Sequence, residues 1–72
     1  MRVEYDRQAD SAYIYLVDKI APGQAKKQEI CGELPDVILD FDEGGLILGI
    51  EVLGASRLLP RELLQEAEVI DD

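Results

Sequence analysis

The sequence predicts a small α+β domain: an antiparallel, meander-like β-sheet of about five strands with a short C-terminal helix packed on one face. Three observations predict this class. β-branched and aromatic residues are concentrated in short runs, and clusters of turn residues separate the runs. An apolar segment that begins at a proline then follows the last run. A chain of 72 residues is the size of a single domain.

The first half of the chain predicts three strands. Residues 3–5 alternate apolar and polar, and the polar residues 6–11 suit a hairpin loop. Residues 12–17 form the clearest strand, with Tyr13 and Tyr15 on one face and Ala12 and Ile14 on the other. Pro22-Gly23 predicts a type II turn, and residues 25–31 then form a more polar strand.

The centre of the chain predicts a hairpin. Residues 37–41 and 46–53 are aliphatic runs joined by the acidic Gly-Gly segment 42–45, which favours a primed turn. In the second run we assign four residues to the core face: Leu46, Leu48, Ile50 and Val52. Glycine within a strand marks a bulge or a close approach, and we expect one of these at Gly49.

A short helix follows, with Pro60 at its first position and Leu58 and Leu63 spaced as a hydrophobic staple. We expect residues 69–72 to be a frayed tail. A helix of about eight residues is marginal alone and must dock on the sheet, where it covers one face only. The other face is left for another subunit or a partner, and its interface candidates are Tyr13, Tyr15, Ile47, Glu51 and Leu53.

Size and charge limit the classes of function. So small a domain has a thin core, which self-association stabilises, so we expect a homo-oligomer, most simply a dimer. Seven basic and sixteen acidic residues give a formal charge of −9, which disfavours nucleic acid and anionic membranes as partners. There is no long apolar run and no signal-peptide pattern at the start, so we expect a cytoplasmic protein. The absence of Asn, Thr, His and Trp resembles thermophile usage.

Catalytic chemistry has little support in these residues. Without histidine, a nucleophile such as Ser11, Ser56 or Cys31 lacks the usual base, so we expect neither an enzyme nor a cofactor. Ser56 is more simply a turn or helix cap, and Cys31 a small apolar filler. Asp6 and Asp10 bracket the first loop, where carboxylates most often accept hydrogen bonds from loop N–H groups.

The acidic hairpin turn offers an alternative function. The cluster consists of the carboxylates Asp36, Asp40, Asp42 and Glu43, whose mutual repulsion a divalent cation would relieve. The spacing partly matches an EF-hand calcium loop, but the flanking segments read as strands where that motif requires helices. A plain acidic turn is the simpler interpretation, and cation binding stays an alternative.

Five short segments together carry a resemblance to a known family. They are Tyr5-Asp6, Ala9-Asp10, Tyr13-Ile14-Tyr15-Leu16, Ile38-Leu39-Asp40-Phe41-Asp42 and Gly49-Ile50-Glu51-Val52-Leu53-Gly54-Ala55-Ser56. In their order and spacing they resemble domain-of-unknown-function family 2283, from residue 3 to about residue 59. The resemblance implies a small prokaryotic sheet-plus-helix protein with no established activity. It also makes an antitoxin-like binder of a small basic toxin an alternative function.

Overall fold

The computed structural model describes residues 1–71, apart from the side chains of residues 34 and 35. The chain folds into one mixed sheet of six strands with two short helices after the fifth strand. The strands are β1 (Arg2–Asp6), β2 (Ser11–Tyr15), β3 (Lys27–Cys31), β4 (Leu34–Phe41), β5 (Ile47–Leu53) and β6 (Glu68–Val69). The helices are α1 (Ala55–Leu58) and α2 (Arg61–Glu66). The α+β class is therefore confirmed.

The strand order is β3-β4-β5-β2-β1-β6. β1 and β2 form one hairpin, and β3, β4 and β5 form a meander whose last strand pairs with β2. The sheet is thus not a single meander, because the connection from β2 to β3 passes the ends of β5 and β4. All pairs are antiparallel except β1 with β6.

The turns follow the local sequence with one difference. Gly23 has a φ of 80°, and the N–H of Gln24 donates to the carbonyl of Ala21 at 3.0 Å, which confirms the type II turn. The β4–β5 hairpin does not use the predicted two-residue primed turn. The N–H of Gly45 donates to the carbonyl of Asp42, and Gly45 itself has a φ of 86°, as in longer loops that end in a left-handed glycine. The longer loop places Leu46 outside the strand, so its predicted core position was wrong: it is 69% exposed.

The core lies between the sheet and the helices. Ala12 on β2, Val52 on β5 and Ala55 on α1 are almost completely buried, and Leu58 and Leu64 pack against them. The alternation of β2 and β5 places these strand residues on one face of the sheet, which both helices cover. The prediction that helical residues cover one face is confirmed in this arrangement.

The helical region differs from the prediction in where its helices begin and end. Residues 55–58, which precede the predicted helix, form a separate helical turn, and Pro60 is the N-cap of α2 instead of its first helical residue. Residues 69–71 are not frayed: Val69 belongs to β6, the N–H of Ile70 donates to the carbonyl of Tyr5, and Asp71 pairs with Arg7. Asp72 lies outside the described residues.

Candidate functional site

The face of the sheet opposite the helices carries a layer of tyrosine and carboxylate side chains. We call it the open face and define it by the following residues: Arg2, Glu4, Tyr13, Tyr15, Gln28, Asp40, Gly49 and Glu51. Strand pairing sets their arrangement, because Tyr13 lies between Glu4 and Glu51, and Tyr15 lies between Arg2 and Gly49. Residues that alternate with buried core positions necessarily share this opposite face.

Tyr13 is held across the sheet by its hydroxyl. Its O–H donates to Oδ2 of Asp40 at 2.5 Å, and Nε2 of Gln28 donates to the other oxygen of the same carboxylate at 2.8 Å. Asp40 is only 7% exposed and is the one buried charged residue among those that the structure describes. Burial, and then the hydrogen bond to Asp40, raise the pKa of Tyr13 above its usual value, so the hydroxyl stays a donor.

Gly49 makes room for the Tyr13 ring. A Cβ atom at this position would lie 2.3 Å from Cε1 of Tyr13, far inside van der Waals contact. The pairing of β4 with β5 also shifts register beside Gly49, between Asp40 and Phe41. The bulge or close approach expected at Gly49 is confirmed, and both features occur there.

Tyr15 belongs to a second cluster, in which an arginine is bound. The Tyr15 O–H donates to Oε1 of Glu4 at 2.8 Å, and Nη1 of Arg2 donates to Oε2 of Glu4 at 2.9 Å. The guanidinium carbon of Arg2 lies 3.7 Å from the centroid of the Tyr15 ring, a cation–π contact. The hydrogen bond to Glu4, and then burial, raise the pKa of Tyr15. The Tyr15 ring and the Glu4 carboxylate together therefore form a binding site for a guanidinium group.

The two tyrosines join these clusters into one surface. Their ring centroids are 4.7 Å apart with an interplanar angle of 53°. Beside Tyr13 lies Glu51, its direct cross-strand neighbour, which is half-buried and forms no ion pair or hydrogen bond within residues 1–71. A shallow depression of about 230 Å³ borders Arg2 and Tyr15 at one end of the face.

The interface candidates predicted from the sequence are only partly brought together. Tyr13, Tyr15 and Glu51 lie on the open face. Leu53 follows buried Val52 and pairs with Ser11, so it lies on the same side of the sheet at the end of β5, 38% exposed. Ile47 lies at the other end of β5, 41% exposed, and neither residue takes part in the polar network. Sequence reasoning missed Arg2, Glu4, Gln28 and the role of Asp40. The alternation of β1 could have indicated Arg2 and Glu4, but Gln28 and Asp40 require the register between strands.

The acidic turn does not converge on a cation site. Asp40 is used by Tyr13 and Gln28, whereas Oδ1 of Asp42 accepts hydrogen bonds from the N–H groups of Gly44 and Leu46 within the turn. Within the described part of the chain, no group of three or more carboxylate or cysteine side chains is placed to hold a metal ion. Asp42 therefore acts as an internal acceptor that shapes the loop.

Asp10 connects the first loop to α1. It has a φ of 52°, and its carboxylate accepts hydrogen bonds from the Ser56 N–H at 3.0 Å, the Ser56 hydroxyl at 2.7 Å and the Tyr5 hydroxyl at 2.8 Å. These bonds, led by the one from the Ser56 hydroxyl, lower the pKa of Asp10. Ser56 is therefore a donor to a distant carboxylate and not itself the cap. Asp6 fulfils its prediction, because it accepts from the N–H groups of Gln8 and Ala9.

Comparison with known proteins gives a family and one relative. Residues 2–56 match the profile of the family described as protein of unknown function (DUF2283). An uncharacterized protein of Methanocaldococcus jannaschii is 34% identical over 58 residues, which cover 81% of this chain and 44% of the relative. The chain thus spans less than half the length of that relative. No solved structure matches. Among the described residues, no helix has the length and apolar character needed to cross a bilayer.

Proposed function

The chain belongs to the DUF2283 family of proteins of unknown function, and from its geometry we propose that it is a non-enzymatic interaction module whose open face binds arginine side chains of a basic partner protein. The observation that carries this proposal is the cluster of Arg2, Tyr15 and Glu4. Here the chain's own guanidinium lies over a tyrosine ring and pairs with a carboxylate. The open face therefore has the chemistry that recognises arginine.

On the same face, a second tyrosine ring and carboxylate are not paired with any arginine of residues 1–71. Tyr13 stands directly opposite Glu51 across the strands, and the charge of Glu51 contributes to raising the pKa of Tyr13, although burial is the main cause. A partner arginine stacked on Tyr13 and paired with Glu51 would repeat the Arg2 arrangement. Tyrosine suits such contacts because it offers a large, rigid surface at low entropic cost.

Charge favours a basic partner over a second copy stacked on this face. The open face carries three carboxylates, from Glu4, Asp40 and Glu51, but only one cation, from Arg2. If two such faces were in contact, carboxylates of one copy would lie opposite carboxylates of the other, and this repulsion would weaken binding. A basic surface is complementary in charge to the open face. The formal charge of −9 attracts a basic partner over longer distances as well. An antitoxin-like protein that captures a basic toxin would be one form of this function.

The exposed area supports an interaction role. The monomer exposes 5028 Å², whereas a folded monomer of 8.0 kDa is expected to expose about 4,500 Å². The helices cover one side of the sheet only, and the uncovered side contributes to this excess. It is of the order of the roughly 800 Å² that each partner loses in a standard interface.

NMR titration with a synthetic hexa-arginine peptide tests the proposal. We expect amide shifts concentrated at residues 13, 15, 49 and 51, with helical residues 61–66 unaffected. A hexa-lysine peptide has the same charge but stacks less well on tyrosine, so we expect it to bind more weakly. Shifts spread over the whole acidic surface, or equal binding of the two peptides, would show non-specific attraction and refute the arginine site.

A further inference from the structure

Strand β3 is an unpaired edge of the sheet. It is the first strand in the order β3-β4-β5-β2-β1-β6, and all five of its residues are exposed. The opposite edge is formed by β6, which has only two residues. The ion pair between Arg7 and Asp71, two residues after β6, stabilises this edge. An exposed edge strand is a template for pairing with another strand. β3 is therefore the longer available edge.

The charges of β3 are arranged so that the strand complements itself. Lys27 and Glu29 lie on one face of the strand, two residues apart on either side of Gln28. In a symmetric antiparallel pair, a two-fold axis perpendicular to the sheet passes through a residue that faces its own copy. With the axis at Gln28, Lys27 faces the partner's Glu29, and Glu29 faces the partner's Lys27. Two opposite-charge cross-strand pairs result, and such pairs are stabilising.

The neighbouring registers lack this complementarity. An axis at Lys27 would place two lysines opposite each other, and an axis at Glu29 would place two glutamates opposite each other, both of which are unfavourable. An axis at Ile30 would place Lys27 opposite Glu33, which lies beyond the end of β3, and Glu29 opposite the uncharged Cys31. An axis at Cys31 would place Glu29 opposite Glu33, which is unfavourable. Of the five registers centred on a residue of β3, only the one centred on Gln28 forms opposite-charge pairs from residues within the strand.

We propose that two copies of this chain associate through antiparallel pairing of their β3 strands, centred on Gln28, to form a continuous twelve-stranded sheet. The axis is perpendicular to the sheet, so both open faces lie on the same side of the dimer. Self-association is thereby assigned to the sheet edge, where Gln28 is the one open-face residue at the interface, and Tyr13, Tyr15 and Glu51 stay accessible. Ile30, which is 64% exposed, gains the partner's Lys26 as a cross-strand neighbour.

The dimer can be tested with two charge-reversal variants, measured separately and then mixed. By sedimentation velocity at micromolar concentrations, we expect the wild type to dimerise. Lys27→Glu and Glu29→Lys should each weaken their own homodimer by about tenfold or more, because two attractive pairs become repulsive. An equimolar mixture of the two variants should form a heterodimer, since each lysine again faces a glutamate. Each variant also removes the exposed ion pair between Lys27 Nζ and Glu29 Oε1 within the strand (3.3 Å). Exposed pairs contribute little to stability, so folding should be preserved, and circular dichroism checks this.

Controls carry the same charge changes away from the edge. Lys19→Glu and Glu43→Lys lie in exposed loops and should leave the dimer intact. A wild type that stays monomeric, single variants that dimerise like the wild type, or a mixture that stays monomeric would each overturn the proposal. Because none of these variants alters the open face, a failure here is distinguishable from a failure of arginine binding.

Cross-linking gives an independent test of register. In Gln28→Cys/Cys31→Ser the introduced thiols face each other across the axis, at a cross-strand spacing that a disulfide can bridge. We expect a covalent dimer under mild oxidation. In the wild type, the two Cys31 residues lie six positions apart in register, about 20 Å, and should not cross-link. Equal cross-linking through Cys31 would contradict the register.

Discussion

Replacement of Gly49 by alanine tests the architecture of the open face. The new methyl group would lie 2.3 Å from the Tyr13 ring, so the ring must swing away from Asp40. The buried carboxylate then loses its hydroxyl donor. A hydrogen bond to a charged group contributes about 1.5–3 kcal/mol. Alanine in a strand recovers about 0.5–1 kcal/mol relative to glycine. The expected net loss in the free energy of unfolding is about 1–2 kcal/mol.

Urea and thermal denaturation, followed by circular dichroism, measure this loss. For a domain of this size, we expect the Tm to fall by about 5–15 °C. Gly44→Ala is the matched control, because a Cβ there meets only Oδ1 of Asp42 at an ordinary 3.5 Å. The cost should largely disappear in a Tyr13→Ala background, where the methyl group has no ring to displace. An equal cost of Gly49→Ala with and without Tyr13 would refute the reasoning.

Three further predictions concern single groups. The pKa of Asp10 is lowered in the folded state, so its carboxylate stabilises the fold above the unfolded pKa near 3.9, and this stabilisation is lost as the pH falls below that value. In Asp10→Asn, the Tm should therefore depend less on pH in the acid range than it does in the wild type. The pKa of each tyrosine is raised, so absorbance at 295 nm should show ionisation at higher pH in the folded than in the urea-unfolded protein, and stability should fall as the pH rises above about 10. Asp71→Ala removes the ion pair with Arg7, and hydrogen exchange of the Ile70 amide should accelerate while amides of the central strands stay protected.

Local sequence patterns correctly predicted the elements that depend on residues close together in the sequence. Alternation identified β2 and β5, Pro22-Gly23 identified its turn, and Gly49 identified the place where a ring crosses the backbone. Each of these depends on residues close in the sequence or on the steric freedom of one residue.

Features that depend on distant residues could not be predicted in this way. α1 has only four residues, and its N–H and hydroxyl donors are satisfied by Asp10, 46 positions away from Ser56. β6 is a two-residue strand that exists only because the edge of β1 is available to it. Cys31, predicted as an apolar filler, is exposed because β3 is an edge strand. Sequence pattern alone does not show which strand lies at an edge.

The same distinction applies to the open face. Alternation within β2 predicted that Tyr13 and Tyr15 share a face, and alternation within β5 predicted that Glu51 lies opposite the core. Their partners were not predicted, because Tyr13 meets Asp40 and Gln28 only through the pairing of β2, β5, β4 and β3. The same register places Ile38 beside Glu51 and the exposed Ile30 beside Ile38, so the polar network lies next to apolar residues on this side of the sheet.

The affinity of hexa-arginine for two charge-matched variants tests the central claim most directly. Glu51→Gln removes the open-face carboxylate that has no partner within residues 1–71, and Glu66→Gln removes an exposed carboxylate from α2. By isothermal titration calorimetry, we expect Glu51→Gln to weaken binding about three- to fivefold. Glu66→Gln should leave the affinity within about 1.5-fold of the wild type. Equal weakening by both variants, or no binding to the wild type, would contradict an arginine site on the open face.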